Sequence, residues 1–298
     1  MRFQDCVRGS TTICDGAWGT EFQKLGAGLR DCVDEWNLTK PHLVEQVARS
    51  YVAASSRVIL TNTFRANPIS LAPFGLLGKC DEINRAGVRI SRKATENTAL
   101  VFASMGPSGK LLSTKEVSAE QLKNAFTQQA KALAAEGPDA IVIETLSDLA
   151  EARIAAAAAL ETGLPVIVSF FLDPRRDRVR AIAAITMEQV AATMTGDGVH
   201  GIGANCGFRV RDFIAVCRRF AAASSLPIWI KPSAGLPEIV EGVAKYKRTA
   251  AEFIEPVPEL LEGGATFLGG CCGTTPEFIQ RMALAARTAK AAGNAAPL

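Results

Sequence analysis

The chain has 298 residues, of which 48% are hydrophobic and 21% are charged, and its net charge is +3 at pH 7. This composition is typical of a globular protein with a large core, and the small net charge argues against nucleic acid as a partner. No apolar run approaches the roughly 18 residues that span a bilayer, and no signal-type stretch follows the N-terminus. We therefore expect a cytoplasmic protein with small-molecule or protein partners, no nucleic acid and no membrane.

Eight short apolar runs follow one another along the chain, most of them rich in β-branched residues and closed by polar or turn-forming residues. They occupy residues 12–15, 58–62, 100–106, 140–144, 166–171, 201–206, 228–232 and 266–271. Most of the gaps hold amphipathic, often alanine-rich segments of helical period, and strands that alternate with helices form parallel sheets. The pattern predicts a single-domain α/β fold over residues 1–298, a (β/α)8 TIM barrel, although an open doubly wound sheet has the same alternation.

Several predicted helices begin at a recognisable cap. Three residue pairs have capping-box spacing: Ser118 with Gln121, Thr186 with Gln189, and Thr249 with Glu252. After the eighth strand, Thr275 is placed to cap a helix and Pro276 to occupy its first position, which predicts a helix that ends near residue 291.

The cysteines indicate metal chemistry rather than disulfides. Eight cysteines in a long cytosolic chain would stay reduced, so each is a core residue, a metal ligand or a catalytic thiol. Two of them, Cys271 and Cys272, are adjacent and flanked by glycines, and Cys206 ends the sixth predicted strand in a similar small-residue turn. With only two histidines in the chain, a metal site would depend on sulfur or carboxylate ligands.

These three cysteines would meet at one rim, because active sites of a (β/α)8 barrel lie at the carboxyl ends of its strands. Three thiolates around Zn²⁺ leave one tetrahedral position open, as in catalytic sites, and soft sulfur ligation favours an external thiol there. The simpler alternative is that all three are small buried strand residues.

Other polar residues close the remaining predicted strands at the same rim. The first strand ends at Asp15 and Gly16, the fourth at Glu144 and the seventh at Lys231. By residue type alone, Asp15 is a turn residue and Glu144 a carboxylate at a helix N-terminus. Three weaker candidates for lining the pocket are Asn62, Ser104 and Asn205.

The order of the motifs resembles the homocysteine S-methyltransferase family. The motifs are DGAWGT (15–20), DEWNL (34–38), TNTF (61–64), GPSG (106–109), IET (143–145), GANC (203–206), KPSAGLP (231–237) and GGCCGTTP (269–276). They run in order over nearly the whole chain, and they look most like the homocysteine-binding barrel of cobalamin-dependent methionine synthase. The paired cysteines together with the upstream cysteine are the specific part of this resemblance.

The resemblance implies a zinc barrel in which Cys206, Cys271 and Cys272 hold the metal and the sulfur of L-homocysteine takes the open position. It also implies that Asp15, with Gly16 beside it, and Glu144 face the amino-acid end of homocysteine. Methyl transfer would then be in-line attack of the thiolate on an activated methyl group, giving methionine.

The methyl donor and two rival functions stay open. The sequence has no counterpart of the folate, cobalamin and activation domains of methionine synthase, so the donor could be S-methylmethionine, betaine, or a methyl-corrinoid or methylfolate delivered by another protein. A barrel without its own donor site could instead serve a separate corrinoid protein as a thiol-binding subunit. In a third hypothesis, Lys231 is the Schiff-base lysine of a barrel lyase, which would require a depressed pKa.

Overall fold

The computed structural model describes residues 2–9, 11–173, 178–179, 186–207, 209–240 and 243–295. Eight parallel strands form its central sheet. They are β1 (Thr12–Ile13), β2 (Val58–Leu60), β3 (Leu100–Met105), β4 (Ala140–Leu146), β5 (Val166–Asp173), β7 (Gly201–Cys206), β8 (Ile228–Pro232) and β11 (Ala265–Leu268). Each overlaps one of the eight apolar runs, so all eight predicted strands are confirmed. The additional strands are β6 (Arg178–Val179), antiparallel to β5, and the hairpin of β9 (Glu238–Val240) and β10 (Val243–Lys245).

The sheet closes into a barrel. Its strand order is β1-β11-β8-β7-β5-β4-β3-β2, and a parallel bridge from Cys14 to Val58 joins β1 to β2. Two backbone hydrogen bonds flank this bridge, from Arg57 N to Ile13 O at 2.7 Å and from Asp15 N to Val58 O at 3.0 Å. The (β/α)8 barrel is therefore confirmed, and the open doubly wound sheet is wrong.

Helices surround the strands. They are α1 (Phe3–Arg8), α2 (Gly19–Lys24), α3 (Trp36–Thr39), α4 (Pro41–Ala53), α5 (Pro68–Leu71), α6 (Cys80–Thr95), α7 (Ala119–Ala134), α8 (Leu149–Leu160), α9 (Met187–Gly196), α10 (Asp212–Ala223), α11 (Ala250–Ile254), α12 (Val257–Glu262) and α13 (Pro276–Ala295). All three predicted capping boxes are present, at the starts of α7, α9 and α11. The helix after the eighth strand begins at Pro276 as predicted.

Large side chains fill the amino-terminal half of the barrel interior. Phe102, Trp229 and Phe267 pack there, and Phe3 of α1 covers them from below, with its ring centroid 5.9 Å from those of Phe102 and Phe267. Cys14 belongs to the same interior cluster. The packed aromatic layer leaves polar chemistry to the opposite, carboxyl end.

Candidate active site

Three sulfur atoms meet at the carboxyl rim of the barrel. The Sγ atoms of Cys206 and Cys271 lie 3.5 Å apart, those of Cys206 and Cys272 3.8 Å, and those of Cys271 and Cys272 3.9 Å. A tetrahedral Zn²⁺ with Zn–S bonds of about 2.3 Å separates its sulfur ligands by about 3.8 Å. The three side chains are therefore spaced as ligands of one metal ion, and they form the one group of metal-binding geometry found in the described part of the chain.

Accessibility separates these cysteines from the other five. Cys206 and Cys271 are partly exposed and Cys272 is exposed, whereas the remaining cysteines are all buried. A ligand from solution can thus reach this group. The simpler alternative, in which all three are small buried strand residues, does not fit this exposure.

Backbone contacts between neighbouring strand ends aim the sulfurs. Cys206 takes a left-handed conformation with φ of 64°, a strain of roughly 1–3 kcal/mol for a residue other than glycine. The amide of Cys271 donates to Pro232 O at 2.8 Å, and the amide of Ala234 donates to Cys272 O at 2.8 Å. The hydroxyl of Thr274 donates to Cys271 O at 2.7 Å. The protein's own backbone therefore fixes the paired cysteines to the end of β8.

The protonation of the cluster explains why a cation belongs there. The pKa of Cys271 lies well below its ordinary value because the thiols of Cys206 and Cys272 hydrogen-bond to its sulfur. The same contacts raise the pKa of Cys206. A positive charge at this position would favour the thiolate form of all three cysteines.

Asn205 connects the sulfur cluster to the end of β4. Its Oδ1 accepts hydrogen bonds from Thr145 N at 2.9 Å and from Ser169 Oγ at 2.7 Å. Its Nδ2 donates to Thr145 Oγ1 at 2.7 Å and lies 3.9 Å from Cys271 Sγ. The side chain is fully buried. Asn205 therefore acts as a support for the cluster and for the irregular end of β4 at Thr145, while its predicted contact with substrate stays a prediction.

The two predicted carboxylates have different environments. Asp15 is fully buried, and its Oδ1 pairs with Lys231 Nζ at 2.5 Å. Its Oδ2 accepts from Trp18 Nε1 at 2.6 Å and from Leu60 N at 2.8 Å. Both oxygens of this carboxylate are thus held by groups of the protein.

Glu144 keeps one oxygen available. Ser104 Oγ donates to its Oε1 at 2.6 Å, and no hydrogen bond to its Oε2 is found among the described residues. Burial raises the pKa of Glu144 to about 7, and the nearby Lys231 ammonium and the Ser104 hydrogen bond only partly oppose that rise. Ser104 is therefore an orienting partner of Glu144, which places it in the predicted site.

Asn62 and Gly16 shape the rim through packing. The amide of Asn62 donates to Val33 O at 2.7 Å and to Asn37 Oδ1 at 3.1 Å, so it anchors the segment that follows α2. A Cβ at Gly16 would lie 2.8 Å from the hydroxyl of Tyr51, so only glycine fits there. Direct contact of either residue with substrate stays a prediction.

Sequence reasoning missed the ion pair between Asp15 and Lys231. Asp15 follows β1 and Lys231 lies near the end of β8, and β11 lies between those two strands. A Cβ at Gly269, just after β11, would lie 2.7 Å from Asp15 O and 3.2 Å from Lys231 Cε. A glycine between two strands that end in opposite charges was therefore the available signal. From the sequence alone, the one role predicted for Lys231 is that of a Schiff-base lysine.

A separate cavity of about 880 Å³ opens at the other end of the barrel. Thr11, Arg57 and Thr98, which precede β1, β2 and β3, line it together with residues of α12 and α13. Its position at the amino ends of the strands is not where (β/α)8 enzymes carry out chemistry.

None of the described helices is both long and apolar enough to cross a membrane.

Together the fold and the site define a (β/α)8 barrel with an accessible group of three cysteines, spaced as metal ligands, at the carboxyl rim of its strands. The sequence profile of the homocysteine S-methyltransferase family matches residues 12–286. The chain therefore belongs to this family of methyltransferases.

Two methionine synthases are among its relatives. The protein of Mycobacterium tuberculosis is 27% identical over 96% of this chain, and that of Mycobacterium leprae is 28% identical over 92%. These matches cover 25% and 24% of the two relatives, so the chain spans about a quarter of their length.

Solved structures share the fold. The oxidised form of the homocysteine methyltransferase MmuM from Escherichia coli superposes with a TM-score of 0.78, at 23% identity, over 95% of this chain and 97% of that one. The metallated form of the same protein also gives 0.78, at 24% identity, over 94% and 97% of the two chains. Both confirm the barrel architecture.

Proposed function

We propose that the protein transfers a methyl group to the thiol of L-homocysteine, with zinc as its cofactor, and that residues 1–298 form one domain for this purpose. One observation carries the proposal, namely the three sulfurs of Cys206, Cys271 and Cys272 at 3.5–3.9 Å from one another on the accessible rim. Three protein ligands are the count of a catalytic zinc site, which keeps its fourth position for water or substrate.

The donor set favours zinc over harder metals, because thiolates are soft ligands and the arrangement suits a tetrahedral ion. When bound, zinc would stabilise the acceptor thiol as a thiolate near neutral pH. A reducing cytoplasmic location, which we also propose, would keep the three cysteine thiols available.

The protein's own residues orient the acceptor. Ser104 donates a hydrogen bond to one oxygen of Glu144, and a carboxylate there suits the ammonium group of an amino-acid substrate. Asn205 holds the end of β4 at Thr145 next to the cluster, so one buried side chain connects the sulfur end and the amino-acid end of the site. Such preorganisation is what in-line displacement requires.

Lys231 does not suit the alternative Schiff-base chemistry. Burial alone would lower its pKa, but the charges of Asp15, Glu144 and Cys14 outweigh burial and the pKa is raised. A Schiff-base lysine needs the opposite shift, because only the free amine attacks a carbonyl.

S-Methylmethionine, betaine, and a methyl-corrinoid or methylfolate delivered by another protein remain candidate donors. A corrinoid-dependent subunit without its own donor is the second candidate function.

The test is the metal content of the reduced protein, followed by X-ray absorption at the zinc edge with and without L-homocysteine. We expect about one zinc per chain with three sulfur neighbours, rising to four on addition of the thiol. The proposal would be contradicted if the protein contained no zinc, or if the number of sulfur neighbours of zinc did not change when L-homocysteine is added. Turnover with one small donor would exclude the donor-less subunit, whereas homocysteine binding without turnover on any small donor would favour it.

A further inference from the structure

The buried carboxylate of Asp15 has no capacity left for a substrate ammonium. Its charge is paired with Lys231 Nζ at 2.5 Å, and Trp18 Nε1 and Leu60 N occupy its other oxygen. Its exposed fraction is 0%, so no surface remains for a ligand to contact. The resemblance implies that Asp15 faces the ammonium group of homocysteine, but in this chain a lysine already holds that carboxylate.

Lys231 is built into this position. Gly269 leaves space for its side chain, and the ammonium lies 5.5 Å from the centre of the Trp229 ring. The side chain is 3% exposed, and its pKa is raised because the attraction of Asp15 and Glu144 outweighs burial, so it stays charged. The ammonium of Lys231 therefore neutralises the carboxylate of Asp15 inside the folded barrel.

Glu144 is the carboxylate left for a ligand. It is 8% exposed, its Oε2 has no hydrogen-bond partner in the described ranges, and no ion pair within 4.0 Å joins it to Lys231 there. Its electrostatic environment still includes Lys231, Asp15 and Cys271. A cationic group that enters beside the sulfur cluster would thus find one free carboxylate.

We propose that Lys231 is a specificity-determining residue, whose ammonium withdraws Asp15 from substrate binding and leaves Glu144 alone to hold the α-ammonium of the acceptor. This inference rests on the proposed function, and it concerns which acceptor thiols the site distinguishes. The discrimination between an amino-acid thiol and the same thiol acid without its amino group depends on Glu144, and Asp15 does not contribute to it.

The experiment compares two thiols that differ only in the amino group, L-homocysteine and 4-mercaptobutanoic acid. Their Kd values are measured by calorimetry on the zinc-loaded full chain, and a zinc-edge spectrum verifies that each thiol adds a sulfur neighbour. We expect wild-type protein to prefer homocysteine at least about tenfold, the usual effect of one hydrogen bond to a charged group. Glu144→Gln is expected to bring the two Kd values together, and Asp15→Asn to retain the wild-type ratio even if both thiols bind more weakly.

Lys231 is tested by releasing Asp15. We expect Lys231→Met to raise the preference for homocysteine above the wild-type ratio, because the freed carboxylate then attracts the ammonium. The double variant Asp15→Asn/Lys231→Met is expected to return to the wild-type ratio, and it decides the question if the single lysine variant does not fold. The control is Asp139→Asn, since that carboxylate accepts from Val101 N at the opposite end of the barrel.

Two results would overturn the inference. One is a loss of the preference in Asp15→Asn or in the double variant, and the other is an unchanged ratio in a folded Lys231→Met protein. If neither thiol adds a sulfur neighbour to zinc in wild-type protein, the proposed function itself fails, and this outcome differs from both of the others.

Discussion

Breaking the buried ion pair between Lys231 and Asp15 should strongly destabilise the barrel. Both side chains are almost fully buried, 3% and 0% exposed, with the charged atoms 2.5 Å apart. At this distance the gross attraction is about 7 kcal/mol for an effective dielectric constant of about 20, and desolvation of the two groups offsets part of it. Removal of one partner leaves the other charge buried and unpaired, and we expect a loss of about 3–5 kcal/mol for Lys231→Met.

A double-mutant cycle measures this coupling. We expect Asp15→Asn to cost an amount similar to the loss in Lys231→Met. The double variant Asp15→Asn/Lys231→Met should lose at least about 2 kcal/mol less than the sum of the two single variants, because it leaves no unpaired charge. The donors Trp18 Nε1 and Leu60 N keep an acceptor in the carbonyl oxygen of the substituted amide side chain, which limits the remaining cost.

Urea denaturation followed by circular dichroism gives the free energies of unfolding of the four proteins. The matched control is Lys79→Met, which removes an exposed pair with Glu82 and should leave stability nearly unchanged. Strict additivity of the two single variants would refute the reasoning, because it would mean that the two charges do not stabilise each other in the folded protein.

Three further changes test other parts of the site. Replacing Cys271 with Ala should reduce the zinc content from about one per chain to background and abolish methyl transfer at the same time. The control Cys217→Ala, which changes a buried cysteine of α10, should retain both zinc and activity. Metal analysis of the purified variants tests this prediction. Gly273→Ala should lower zinc affinity in a chelator competition, since φ is +80° and the new Cβ would meet the ring of Tyr246. The pKa of Glu144 is raised from 4.5 to about 7, so the folded protein binds this proton more tightly than the unfolded chain. The stabilisation that this proton contributes is fully present below pH 4.5. The free energy of unfolding should therefore fall by up to about 3 kcal/mol as pH rises through 7. That fall should be missing in Glu144→Gln, and an identical pH profile in the variant would show that the carboxyl does not titrate in this range.

Much of the candidate site could be predicted because its residues lie in short sequence motifs at the ends of predicted strands. Cys271 and Cys272 are adjacent between glycines, and Cys206 ends an apolar run, so the rule that barrel chemistry lies at carboxyl strand ends was enough to bring the three together. Glu144 was found by the same rule. The apolar runs also marked all eight strands, because buried parallel strands read as continuous hydrophobic segments.

The roles of Asp15 and Asn62 could not be read in this way. Both residues were correctly placed near the rim, but a strand end does not reveal which partner a buried polar group will find. Asn62 donates to a loop that comes before it in the chain, and Asp15 pairs with a lysine 216 positions away. Resemblance to a family carries over the residue types at a motif, whereas the pairing at Asp15 depends on Lys231 and on the space left by Gly269.

Short-range information in the chain is thus sufficient for the order of strands and helices, the helix caps and the identity of the three cysteines that meet at the rim. These features depend on periodicity, on capping and on residue type over a few positions. Closure of the barrel and the neutralisation of Asp15 are different, because they arise only when β1 and β8 flank β11 and two distant charges are excluded from water together. The energy of such a buried pair depends on distance and solvent exclusion, and neither quantity exists until the chain has folded.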